Sequence, residues 1–146
     1  MNNTGYLLMS ISKKLKYNLN YALTDLDITV QQWAVIQQLH YLSKSTKQVT
    51  SNDLAKILDM DKPTISAIIK RLESKKIIYK TKNIHDNRAF DLFLTQVGHE
   101  IYTKAVGISD SVLKQFMDQL SDTEKNELNK ILKKIDSKPC GNKSSM

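Results

Sequence analysis

One cysteine, Cys140, serves a chain of 146 residues. A lone thiol closes no intramolecular disulfide, and without a Cys-x-x-Cys pair there is no sign of a zinc or dithiol redox motif. His40, His85 and His99 are scattered, with no ligand spacing such as His-x-x-x-His, so no metal site is expected. Nothing approaches the ~18 consecutive apolar residues of a membrane span. The N-terminus, MNNTGYLLMSISKKLK, puts its lysines after its short apolar runs, the reverse of a secretory signal. These absences predict a cytoplasmic protein with no membrane partner. Serine, histidine and aspartate occur, but no nucleophile elbow, phosphate loop or paired-carboxylate motif frames them, so neither catalysis nor a cofactor is expected.

What the chain does have is positive charge. Against 15 acidic residues stand 22 lysines and arginines, a net +7. Such an excess suits a polyanionic partner, because protein cations displace counterions condensed on phosphate. Many basic proteins bind no nucleic acid, so distribution matters more than the total. Between Asp61 and Asp91 the cations are Lys62, Lys70, Arg71, Lys75, Lys76, Lys80, Lys82 and Arg88, and the anions are Asp61, Glu73, Asp86 and Asp91. More than half of the excess therefore falls in one short segment.

The length suits one domain with a core of its own. Leu8, Ile11, Leu15, Leu19, Ala22 and Leu26 recur at helical steps and predict a first helix with one apolar stripe. Thr29 and Gln32 have capping-box spacing before a second helix that buries Trp33, Ile36 and Leu39. Residues 43–48 read as a loop. A long helix is expected from Thr95 or Gln96, with the stripe Val97, Ile101, Ala105, Ile108, Val112, Phe116 and Leu120. Its roughly 25 residues would span about 37 Å, weakened locally by Gly98 and Gly107. Ser121 and Glu124 open a last helix carrying Leu128, Ile131, Leu132 and Ile135. The expected organisation is a dimerisation helix over 1–28, a DNA-binding lobe over 29–95, dimerisation helices over 96–136 and a disordered tail over 137–146. A helix as long as 96–120 needs a partner for part of its stripe. A second copy of the chain supplies one, and two-fold dimers match palindromic DNA.

The central segment carries the chemistry. Thr50 and Asp53 cap a short helix in which Leu54, Ala55 and Leu58 face inward. Asp59 stands where a left-handed residue is needed, and Asp61 caps a second helix with Pro63 in its first turn. Ile65, Ile68, Ile69 and Leu72 follow the i, i+3, i+4, i+7 rule and must be core. Two β-prone runs then flank the polar loop NIHDNR. Helix, turn, helix and ribbon in that order define a mainly α, winged helix-turn-helix fold with a small β-hairpin wing, flanked by terminal dimerisation helices. The second helix of the motif would enter the major groove of double-stranded DNA.

On its outward face stand Lys62, Pro63, Thr64, Ser66, Ala67, Lys70 and Arg71. Small residues permit close approach, Thr64 and Ser66 exchange hydrogen bonds, Ala67 touches a thymine methyl, and the cations meet phosphate or guanine. Thr50 and Ser51, at the start of the first motif helix, complete that set of candidate contacts. On the wing the candidates are Asp86, Asn87 and Arg88. Arginine suits a narrow minor groove, and Asp86 would steady its guanidinium by a charge-assisted bond. Phe90, Leu92 and Leu94 alternate with Asp91 and Phe93, predicting one apolar strand face. In isolation, a solvated helix face and an ordinary turn account for these same residues. Their order along the chain argues for DNA.

Residues Thr50 to Gly98 resemble the DNA-binding core of the MarR family of bacterial transcription regulators. The matching pieces are LAKILDMDKPTISAIIKRLESKKII and DNRAFDLFLTQVG, with Asp86, Arg88, Leu94, Thr95 and Gly98 at the most distinctive positions. The resemblance implies a homodimer with interlocked terminal helices, recognition helices in successive major grooves, and Arg88 in the minor groove oriented by Asp86. It further implies a repressor released by a small-molecule effector or an oxidant. The effector would lie between dimer helices and DNA-binding lobe, at residues the sequence does not identify. Peroxide-sensing members resemble one another in a reactive cysteine near the start of the first helix. This chain has none there, and Cys140 has no evident partner for a redox role. The family usually has glycine where this chain has Asp59 and Lys76. The alternative function is a winged-helix module that binds protein instead of DNA.

Overall fold

A computed structural model describes residues 2–45 and 47–137. Cys140 and the tail from residue 138 onward lie outside that range; Ser137 is the C-cap of the last helix. The chain packs as two units that divide after Val112.

In the first unit, α1 (Thr4–Leu23) gives way to a single 3-10 turn, Thr24–Leu26, closed by Asp27 in the left-handed region. The helix thus stops one turn before the end of its expected stripe. Leu23 is fully buried, whereas Leu8 and Ile11 are exposed, so α1 enters the core only through its C-terminal end. The next helix, α2 (Val30–Leu42), opens on the complete Thr29–Gln32 capping box and buries Trp33, Val35, Ile36 and Leu39. A short α3 (Ser51–Ile57) packs on α4 (Lys62–Ser74), which in turn packs on α2. Leu54, Ile65, Ile68, Ile69 and Leu72 fill the space between them. Each such side chain contributes roughly 1.5–3 kcal/mol on burial, and the alternation of caps and apolar steps places them all on one side.

Besides Asp27, two further turns use left-handed residues that are not glycine, Asp59 (φ 52°) and Lys76 (φ 61°). Each costs on the order of 1–2 kcal/mol. Lys76 turns the chain from α4 into β1 (Ile78–Lys82), which pairs antiparallel with β2 (Phe90–Leu94), Ile78 opposite Leu94 and Lys82 opposite Phe90.

The expected alternation in β2 is wrong at two positions. Asp91 is 1% exposed, and Phe90, expected inward, is 40% exposed. The reason is a third segment: Thr50 bridges to Asp91, and Leu92 N–H donates to the Val49 carbonyl at 2.8 Å. The strand is covered along both edges.

Thr95 caps α5 (Gln96–Phe116), its hydroxyl accepting from the Gly98 N–H at 3.0 Å and donating to the Lys76 carbonyl at 2.7 Å. This helix ends four residues short of Leu120. Its inward stripe is Gly98, Ile101, Tyr102, Ala105 and Ile108; Val97, expected in the stripe, is 47% exposed. Gly98 is buried at a close approach and not a mere weak point: a Cβ there would lie 2.3 Å from the Ile77 carbonyl oxygen. Tyr102 stacks on His40 with ring centroids 3.5 Å apart and lies 5.5 Å from Trp33.

The second unit holds the end of α5 and α6 (Asp122–Asp136), opened by the Ser121–Glu124 capping box. Those hydrogen bonds hold the Glu124 carboxyl below its ordinary pKa of 4.5. Ile131, Leu132 and Ile135 of α6 are exposed.

Candidate nucleic-acid interface

The local chemistry of α4 starts at its N-cap. Asp61 accepts the Thr64 N–H at 2.7 Å, and this bond holds the carboxyl below its ordinary pKa of 3.8. Pro63 sits in the first turn, where its missing N–H has no intrahelical partner to lose. With the four core residues turned inward, Lys62, Pro63, Ser66, Ala67, Lys70 and Arg71 are exposed and Thr64 is half-buried. The structure therefore brings the expected recognition residues onto one open face.

Lys75 is not on that face. Its ammonium donates to the backbone carbonyl of Asp27 and to Gln32 Oε1 at 3.4 Å, and pairs with Asp27 Oδ2 at 3.6 Å. Lys80 is also engaged, pairing with Glu73 at 3.7 Å and lying 4.7 Å over the Phe90 ring. The cationic total of the segment overstates what it offers a polyanion.

On the wing, Asp86, Asn87 and Arg88 are exposed. The expected Asp86–Arg88 ion pair is absent among the described residues, whose ion pairs are Lys75–Asp27 and Lys80–Glu73. Asp86 acts on the backbone instead, Oδ1 accepting the Arg88 N–H at 3.0 Å. The main chain that presents the arginine is thereby fixed. Asn83 organises the rest: Oδ1 accepts from the N–H groups of His85 (2.8 Å) and Asp86 (3.0 Å), and its own N–H donates to the Ala89 carbonyl at 3.0 Å. Asn83 and Asp91 are thus members of the site that sequence reasoning missed. An asparagine three residues before an aspartate in a polar loop is the signal that was present for the first; nothing local marks the second. Thr50 caps α3 beside Asp91, at the base of the wing, and Ser51 is exposed.

A capped helix, a turn, a second helix with an open polar and basic face, and a pinned β-ribbon make this a winged helix-turn-helix protein. A sequence model of the MarR family matches residues 26–89. YdcH of Bacillus subtilis, an HTH-type transcriptional regulator, is 28% identical over 112 residues, covering 77% of this chain and 76% of its own. The Staphylococcus aureus MepR–DNA complex superposes with a TM-score of 0.82 at 29% identity, over 94% of this chain and 98% of that one. A MepR mutant reaches 30% identity over 92% and 96%, with a TM-score of 0.74. A mutant of Escherichia coli MarR complexed with operator DNA gives 0.80 at 26% identity, over 90% and 91%. The chain belongs to the MarR family: it is a transcription regulator and not an enzyme. Among the described residues, no helix is long and apolar enough to cross a membrane.

Proposed function

We propose that this regulator is a cytoplasmic homodimer that binds a pseudo-palindromic operator in double-stranded DNA and represses transcription until a small effector releases it. The observation that carries the reading is the open face of α4, where Ser66 and Ala67 stand between Lys62 and Lys70–Arg71 with no acidic neighbour on that stretch. Small side chains let the helix approach base edges, and flanking cations meet phosphate. Arg88 enters the minor groove from a wing loop whose backbone is already fixed, so little ordering cost falls on binding. Thr50, Ser51, Thr64 and Asn87 donate to the DNA backbone and set the register, Pro63 keeps the start of α4 compact, and Asp86 holds the main chain that presents Arg88. MarR and MepR have been solved with DNA, and MprA of Escherichia coli is named a transcriptional repressor; those facts support the same reading here.

Dimerisation is assigned to the terminal segments, 1–28 and 96–136, around the lobe of 29–95. Tyr6, Leu7, Leu8, Met9 and Ile11 of α1 are exposed, and so are Ile131, Leu132 and Ile135 of α6. Apolar side chains left open on separate helices suit a second copy of the chain.

Selection from a random duplex pool at low salt tests this reading. It predicts enrichment of a pseudo-palindrome whose half-sites are centred about 10 bp, or a multiple, apart. A pool that shows no enrichment would favour the protein-binding alternative.

A further inference from the structure

We infer that Lys75 is a positioning residue, setting the angle at which α4 is presented by clamping its C-terminal end to the hinge between α1 and α2. The inference rests on the DNA-binding reading of α4 above.

A lysine in the last turn of a recognition helix is ordinarily counted as a phosphate contact. Here the side chain is 25% exposed and its ammonium is already occupied. Its acceptors come from two places 48 and 43 residues away in sequence: the carbonyl of Asp27, which ends α1's 3-10 turn, and Oε1 of Gln32, in the first turn of α2. Gln32 is itself buried, and the same oxygen accepts the Thr29 N–H at 3.2 Å. One ammonium therefore joins the end of α1, the start of α2 and the end of α4. The carboxylate of Asp27 adds little, being 93% exposed at 3.6 Å, where solvent screens the pair. The bonds to the carbonyl and the buried amide do the clamping.

The hinge around that ammonium is otherwise built to be fixed. Asp27 is held in left-handed geometry (φ 55°), and Asn20 Oδ1 accepts the Val30 N–H at 2.8 Å. On the other side of Lys75, Lys76 makes the left-handed turn into the wing. Lys75 thus sits where the directions of α1, α4 and β1 meet. The 13 residues of α4 span about 20 Å, so a tilt of about 5° at this end moves the groove-facing end by nearly 2 Å. That displacement is enough to break side-chain register on base edges, while delocalised phosphate attraction tolerates it.

The test compares full-length wild type, Lys75→Met and Lys75→Arg on the selected duplex and on a scrambled one. Anisotropy titrations run across a salt series, well below the unfolding midpoint of each protein. Lys75→Met is expected to weaken the selected duplex about tenfold, leaving scrambled-duplex affinity and the salt slope unchanged; Lys75→Arg recovers most of the loss. Equal losses on both duplexes, with the slope reduced by about one, would make Lys75 a phosphate contact and overturn the inference. Unchanged discrimination would overturn it too. Should Lys75→Met fail to fold, Lys75→Gln is read by the same two criteria. A wild type that does not discriminate between duplexes overturns the DNA-binding reading itself, an outcome separate from either variant result.

Discussion

The Asn83 side-chain amide donates to the buried carboxylate of Asp91 across 2.7 Å, and so anchors the wing loop to the floor of the ribbon. The same asparagine organises the loop through its Oδ1. Its loss is predicted to act twice. Asn83→Ala strands a buried carboxylate, at a cost of about 1–3 kcal/mol, and frees the backbone that presents Arg88. Urea denaturation reads the first effect and duplex titration the second. Wild-type values in both would show that Asp91 finds other partners.

Arg88 and Lys70 are predicted to fail differently. Arg88→Ala weakens binding most where the minor groove under the wing is narrow, as in A-tracts, and least where it is wide. Lys70→Ala weakens all duplexes alike and lowers the salt slope by about one. Titrating both variants on duplexes that differ only in the flanking steps separates the two. Unchanged affinity in both would remove these residues from the interface.

Gly98→Ala is predicted to destabilise the fold by about 1–3 kcal/mol. The new methyl would lie 2.3 Å from the Ile77 carbonyl oxygen and 3.1 Å from Leu94 Cδ2, so backbone has to move. Gly107, where an added methyl would meet nothing within 4 Å, serves as the control. Gly107→Ala should leave denaturation unchanged or slightly improved.

His40 gives the stability a pH dependence of known sign. Burial, then Lys44 and His99, hold its pKa below the ordinary 6.5, and its buried Nδ1 has no hydrogen-bond partner among the described residues. The folded state therefore binds the proton less readily than the unfolded chain. The contribution of His40 is fully present above pH 6.5 and is lost as pH falls through the lowered folded value. Urea midpoints of wild type and His40→Gln at about pH 7.5 and about pH 5.5, on either side of the ordinary histidine value, should show a smaller acid loss in the variant. An equal loss would place the titration elsewhere.

The local parts of this structure were legible in the sequence. Capping boxes at Thr29, Thr50 and Ser121 need only a three-residue spacing, and the buried side of α4 needs only its period. Asp59 was legible as a left-handed position from the turn between the two motif helices, and Lys76 through the family resemblance. What escaped depended on segments far apart in the chain. Asp91 is inside because Val49 and Thr50 lie along β2, which alternation within one strand cannot reveal. Gly98 looked like a weakness until Ile77 was placed against it. Lys75 was counted with the DNA-facing charge, because a charge count carries no direction. The Asp86–Arg88 pair was expected side chain to side chain and is side chain to backbone.

The face of α4 and the wing of this chain are predicted to bind a specific duplex. Fluorescence anisotropy on the region upstream of its own gene, titrated across a salt series beside a scrambled duplex, tests it most directly. The predicted result is tight binding to the upstream duplex, a steep fall in affinity with salt, and far weaker binding to the scrambled one. Absence of binding to either duplex, even at low salt, would contradict it.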